Sequence, residues 1–263
     1  MPAKGSLQKV QLSTDGTACT WLGIVAGNTI GEPADIERLD GAGDEVAVFA
    51  GVWRPTIKVA GQGGAGLKTL LGYALRASGA SLLTFYMFTK DDTDIMKWSG
   101  CKVESISIRA TVGKPVEFDA TIMALDGTTV AEPSWASPGA LERLSEFTVA
   151  GAATNIVALE FGVSNSIKGA QYGNAAVGSL RKLSALNEGK ADYTYRLTLP
   201  AKLATDLSAD TVAGLAQVAT LTDGTTPMVL TFAGVVPKAA DSPVTNDQAD
   251  YEADCVFTTV ALT

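Results

Sequence analysis

The chain has no histidine. That removes the commonest general base, proton shuttle and metal ligand together. Its three cysteines, Cys19, Cys101 and Cys255, are far apart, odd in number and without CxxC spacing, which argues against a zinc site and for buried free thiols in a reducing compartment. Charged residues make up only 18%, below the usual quarter. Lysine and arginine form no run, and the net charge is −8, so the basic footprint of a tight nucleic-acid binder is missing. An acidic surface does suit contact with DNA that must not stick, because like charge repels phosphate. No apolar run approaches the roughly 20 residues of a membrane span, and MPAKGSLQKVQLSTDG has no apolar signal core. The expectation is a protein made and folded in a cytoplasm, without a membrane anchor or a secretion signal.

What is present is a β pattern. Hydrophobic residues reach 46% of 263, enough for one large or two medium cores. The clearest stretch is the hairpin from Cys101 to Leu125. Ile106, Ile108, Ala110 and Val112 alternate with Ser105, Ser107, Arg109 and Thr111. Gly113-Lys114-Pro115 turns the chain, and Val116, Phe118, Ala120 and Ile122 then alternate with Glu117, Asp119 and Thr121. Further strands are read at EVAVFAGV, RPTIKVA, SLLTFYMF, NIVALEFGV, DYTYRLTL, PMVLTFAGVV and YEADCVFTTVAL. Helical spacing is read at Leu67 to Ala77 and at Leu203 to Gln217, and turn chemistry from Gly31 to Gly43.

Several motifs suggest chemistry, and each has a plainer reading. Gly61 to Gly66 matches GxGxxG between a strand and a helix. Leu67 breaks the phosphate-loop spacing to Lys68, and no strand–helix alternation follows to build a parallel sheet, so a flexible connector is the better reading. Asp91, Asp92 and Asp94 lack the Gly and Glu of a calcium loop and read as an exposed turn. Glu117 with Asp119, and Glu252 with Asp254, fall on the polar side of alternating strands. They are expected to form a solvated face, or an acidic surface if copies assemble. Tyr193, Tyr195, Phe232 and Phe257 fit strand packing better than a sugar-stacking platform. Catalytic, cofactor-binding and metal-binding residues are expected to be absent.

The halves echo each other. RPTIKVA, a helix, SLLTFYMF and VEFDATIMAL recur in pattern as TYRLTLP, a helix, PMVLTFAGV and YEADCVFTTVAL. The prolines of AEPSWASPGA mark a boundary. The division read here is an N-terminal arm or loose first strand at 1–20, a first β module at 21–130, a linker at 131–145 and a second β module at 146–263. The fold class is mainly β, with two tandem sandwich- or barrel-like modules, each with one short helix. The stretch from Gly162 to Lys190 is too long for an ordinary hairpin link. Lys168, Tyr172 and Arg181 within it are candidate assembly contacts.

On GCKVESISIRATVGKPVEFDATIMAL, and on VALEFGVSNSI, ADYTYRLTL and the closing strand, the chain resembles the tail tube proteins of long-tailed bacteriophages. The resemblance implies a virion protein of the two-module kind. It would be synthesised in the host cytoplasm and assemble with itself into rings of three or six that stack into a tube. Tape-measure and tail-tip or terminator proteins would be its partners. DNA would pass without specific binding, and the resemblance implies neither catalytic residues nor a cofactor. A carbohydrate-binding or adhesive β-sandwich is the alternative, and an enzyme using carboxylates is the weakest reading.

Overall fold

The computed structural model describes residues 9–31, 34–41, 44–76, 84–91, 94–170, 185–200, 214–237 and 251–263. The first half runs through β1 (Lys9–Ser13), β2 (Thr20–Trp21), β3 (Gly23–Gly31), β4 (Ala34–Gly41), β5 (Asp44–Trp53) and β6 (Thr56–Gly63). It continues with α1 (Gly66–Ala74), β7 (Phe85–Lys90), β8 (Ile95–Thr111), β9 (Glu117–Met123) and β10 (Asp126–Thr129). The second half holds β11 (Arg143–Val149), β12 (Ala152–Ala153), β13 (Ala158–Ser164), β14 (Lys168–Ala170) and β15 (Ala185–Asn187). It ends with β16 (Asp192–Leu199), β17 (Leu215–Thr222), β18 (Pro227–Pro237), β19 (Tyr251–Val256) and β20 (Thr259–Leu262). The chain is mainly β, and α1 is the one helix among the described residues.

The pairing of strands repeats with an offset of ten. In the first half β2, β1, β7 and β8 pair in that order, β10 adds to β8, and β8 pairs onward through β9 and β6 to β3. In the second half β12, β11, β17 and β18 pair in order, β20 adds to β18, and β18 pairs onward through β19 and β16 to β13. β4 pairs with β5, and β14 with β15, as separate two-stranded sheets. β8 serves two sheets because it is long, 17 residues, and turns a corner at Gly100, whose φ is +62°. Its first part pairs with β7 and β10, and its second with β9.

A seam joins the halves. β13 lies antiparallel against β8 from Ala158↔Thr111 to Ser164↔Ser105. One sheet therefore runs β3–β6–β9–β8–β13–β16–β19 across the chain. Alternation gives one face of it to the core: Ile57 and Val59, Phe118 and Ile122, Ile106 and Ile108 are buried with Leu159, Phe161, Tyr195 and Leu197. One apolar cluster includes residues of both halves, with Leu67, Leu70, Leu71 and Ala74 of α1 buried in it. α1 has no side-chain cap and no acidic residue in its first turn, so this burial is what holds it.

A polar knot also ties the halves. Asn165 is buried after β13, and its Nδ2 donates to the carbonyls of Ala74 (3.0 Å) and Val103 (2.9 Å). Arg76 Nη2 donates to Asn165 Oδ1 (3.1 Å) and to the Gly189 carbonyl (2.8 Å). Glu188 meets Arg76 Nε at 3.3 Å and Lys102 Nζ at 3.2 Å. Each of these contacts crosses from one half to the other.

Some expectations need correction. Within the stretch read as turn chemistry, Ala34–Gly41 is β4, because pairing with β5 outweighs the local turn residues. The end of the expected second helix is strand: Gln217, Ala219 and Leu221 are buried between less buried neighbours, which is strand periodicity. The rest of that helix, 203–213, lies outside the described residues. Within residues 1–20, read as an arm or a loose first strand, β1 is a paired strand of the first half, with Leu12 fully buried. The expected linker is strapped to β1, since Gln11 exchanges two hydrogen bonds of 2.9 Å with the backbone of Ala136. The closing strand divides into β19 and β20, with Phe257 and Thr258 between them.

Candidate functional site

The second face of the seam sheet is polar and solvent-facing. Residues directly opposite in antiparallel strands point to the same face. Following the register from strand to strand, Glu117 stands opposite Arg109, Arg109 opposite Glu160, Glu160 opposite Arg196, and Arg196 opposite Asp254. The result is a single row over five strands, β9, β8, β13, β16 and β19, in which the sign of charge alternates at every step. Arg109 Nε lies 3.3 Å from Glu160 Oε1 across the seam. Arg196 Nε donates to Asp254 Oδ1 at 2.8 Å, and its Nη1 lies 3.6 Å from Glu252. The hydrogen bond and charge of Asp254, with the charges of Glu252 and Glu160, hold the Arg196 proton more tightly than usual.

Strand chemistry explains the placement. Each of these charged side chains occupies a polar position of an alternating strand whose other positions fill the core, so turning it inward would slip the strand and expose the apolar set. Two shallow clefts follow the row. One of about 400 Å³ is bordered by Arg109, Glu117 and Glu160. The other, of about 620 Å³, is bordered by Arg196, Asp254, Tyr193 and Phe257.

All four carboxylates expected on a polar face are exposed, and the continuous sheet carries Glu117, Asp119, Glu252 and Asp254 on the same side. They are not a uniform acidic patch, because Arg109 and Arg196 stand between them, on either side of a further carboxylate, Glu160. The sequence reading missed that trio as a group. Their polar positions were visible, but the order of strands across the sheet was not. Lys168 is exposed on β14, off the main sheet, and Tyr172 and Arg181 lie outside the described residues.

The glycine-rich stretch is a packing feature. A Cβ on Gly61 would lie 2.1 Å from the Ile24 carbonyl oxygen, and one on Gly64 would lie 2.5 Å from the Trp21 ring. Backbone and indole fill the space a pyrophosphate would need. Cys101 and Cys255 are buried, and burial pushes the Cys255 thiol up to about 12 and that of Cys101 further. The aromatics form a cluster, with Tyr195 stacked on Phe232 at 4.3 Å and Phe161 edge-on to Phe232 at 5.2 Å. Tyr193, 43% exposed, lies at its rim. No group of three or more His, Cys, Asp or Glu residues among the described residues is arranged to hold a metal ion.

A sheet of this width, one face given to the core and the other to a row of alternating charge, defines a mainly β protein. The chain belongs to the phage tail tube protein family, whose model matches residues 23–258. It is thereby a structural component of the virion tail. A search of the curated proteins gives no match. No helix among the described residues is long and apolar enough to cross a membrane.

Proposed function

We propose that copies of this chain join edge to edge into rings, that the rings stack into the tail tube, and that the charged sheet face lines the channel through which DNA passes. The observation that carries this reading is the β8–β13 seam. It supplies, inside one chain, an example of one ten-strand pattern pairing with the next.

The same pairing can propagate. β3 is the counterpart of β13, and among the described residues it pairs with β6 alone. β18 is the counterpart of β8. Large apolar side chains are exposed at both ends of the sheet: Ile24 (54%) on β3, and Val236 (38%) opposite Val256 (45%) where β18 meets β19. An unpaired, apolar sheet edge invites another chain. Joining the β3 end of one copy to the β18–β19 end of the next is a heterologous contact, which closes into a ring when its rotation allows. In this reading the halves are tandem modules, and three or six chains make a ring. The β14–β15 pair, with exposed Lys168, reaches the neighbouring subunit or ring. Tape-measure and tail-tip or terminator proteins meet the tube at its lumen and ends.

Negative-stain electron microscopy of the purified protein over a concentration series, with light scattering alongside, tests the proposal. Hollow rings or tubes are expected. Particles that stay monomeric at every concentration and bind a glycan would favour the carbohydrate-binding alternative.

A further inference from the structure

We infer that the row Glu117–Arg109–Glu160–Arg196–Asp254 is a phosphate mask, in which carboxylates occupy both arginines so that neither guanidinium is offered to a passing polyanion. The inference rests on the channel reading and adds to it what keeps DNA from sticking at the two arginines of the row.

The face has to satisfy two demands. A wall that conducts DNA needs net negative charge. Acidic residues directly opposite one another in adjacent strands have Cβ atoms about 4.5–5.5 Å apart, and their like charges destabilise the sheet that carries them. Alternating the sign removes that conflict. Arginine creates the next problem, because its planar fork of donors matches phosphate as well as carboxylate. The side chains of Arg109 and Arg196 are 54% and 44% exposed, within reach of anything that moves over the sheet. Geometry resolves this. Arg109 stands between Glu117 and Glu160 in register and contacts Glu160 at 3.3 Å. Arg196 stands between Glu160 and Asp254, and adds Glu252 at 3.6 Å. The row holds three carboxylates to two arginines, so its ends and its sum are both negative. Among the described residues, Glu160 is the only carboxylate of the row with an arginine in register on each side.

The test is the affinity of the full-length chain, below the concentration at which it assembles, for a fluorescent DNA duplex of about two helical turns, read by anisotropy at roughly 50 and 200 mM salt. The wild type is expected to bind negligibly. Glu160→Gln is expected to gain about tenfold or more at low salt and to lose the gain at high salt, as phosphate contacts do. Asp254→Asn exposes Arg196 independently and is expected to gain as well. Adding both Arg109→Gln and Arg196→Gln to Glu160→Gln is expected to return binding to the wild-type level, because Glu160 faces both arginines. Equal DNA binding by wild type, Glu160→Gln and Asp254→Asn would overturn the mask, as would a gain that survives loss of both arginines. Thermal melting of each variant shows that it is folded. The outcome is separable from the channel reading: tubes that form while these variants gain no DNA binding refute the mask alone. A gain in binding without tubes leaves the mask standing and refutes the channel.

Discussion

Gly100 and Gly234 occupy the same corner in the two halves. Each lies where its strand, β8 or β18, passes from one sheet to the next, with φ of +62° and +60°. At Gly100 an added Cβ would lie 2.6 Å from Leu125 Cδ1, and at Gly234 it would lie 2.7 Å from Thr258 Oγ1. Left-handed backbone alone costs a non-glycine residue about 1–2 kcal/mol. Gly113, in the hairpin turn at φ +80°, has nothing within 4 Å of its would-be Cβ. Gly100→Ala and Gly234→Ala are therefore expected to lose more stability than Gly113→Ala in urea denaturation, by about 1 kcal/mol or more from crowding. Equal losses would show that the corners are not crowded.

Glu142 links stability to pH. Its side chain is buried at the junction of the halves, while its backbone bonds to Gly63 and Val116. Burial first, then the negative charge of Asp223, raise its carboxyl from the usual 4.5 to about 7, and Lys68 opposes them. The folded state thus holds the proton more tightly than the unfolded chain. This group favours folding most below pH 4.5, and its contribution falls as pH rises to about 7 and is lost above that. Glu142→Gln, which keeps the neutral shape, is expected to stabilise the protein at pH 8 by on the order of 1–3 kcal/mol and to change little at pH 4.5. Denaturation midpoints at the two pH values check it, and a gain equal at both would refute the assignment.

Asn165 should be intolerant of truncation. Asn165→Ala would leave the carbonyls of Ala74 and Val103 without their donor and take an acceptor from Arg76. Buried polar groups left unpaired cost about 1–3 kcal/mol each. A loss of about 2–4 kcal/mol in chemical denaturation is expected. A loss under 1 kcal/mol would mean that the knot contributes little to joining the halves.

The two sheet ends should fail separately and complement each other. Ile24→Lys places a charge on the β3 edge and Val256→Lys places one at the other end, both at exposed sites that leave the core intact. Each variant alone is expected to remain monomeric by light scattering with unchanged circular dichroism. A mixture should give one-to-one dimers, because each variant keeps the end the other has lost. Rings from either variant alone would contradict the edge assignment.

The β8–β9 hairpin was legible because the alternation of Ile106, Ile108 and Ala110 with polar residues, answered by Phe118, Ala120 and Ile122, has one solution: a strand pair with one buried face. α1 was legible from Leu67, Leu70, Leu71 and Ala74. β4 was hidden because glycine, proline and aspartate dominate Gly31 to Gly43, and its pairing with β5 is not visible in its own residues. β17 was hidden because the leucines at 203, 207 and 215 mimic helical spacing, while the strand signal of Gln217, Ala219 and Leu221 begins where that pattern ends. For the candidate site, Glu117, Asp119, Glu252 and Asp254 could be placed on a polar face from their own strands. The row through Arg109, Glu160 and Arg196 could not, since it depends on β13 lying beside β8. That adjacency joins residues about fifty positions apart and leaves no periodic mark in either strand.

An electron cryomicroscopy reconstruction of the assembled protein, at a resolution that separates strands, shows which face lines the channel and which strand edges meet. The expected channel wall is the β3–β6–β9–β8–β13–β16–β19 sheet, with Arg109 and Glu160 facing the lumen and β3 of one copy beside β18–β19 of the next. A tube with that charged face on its outer surface, or with copies joined elsewhere than at these edges, would contradict that arrangement.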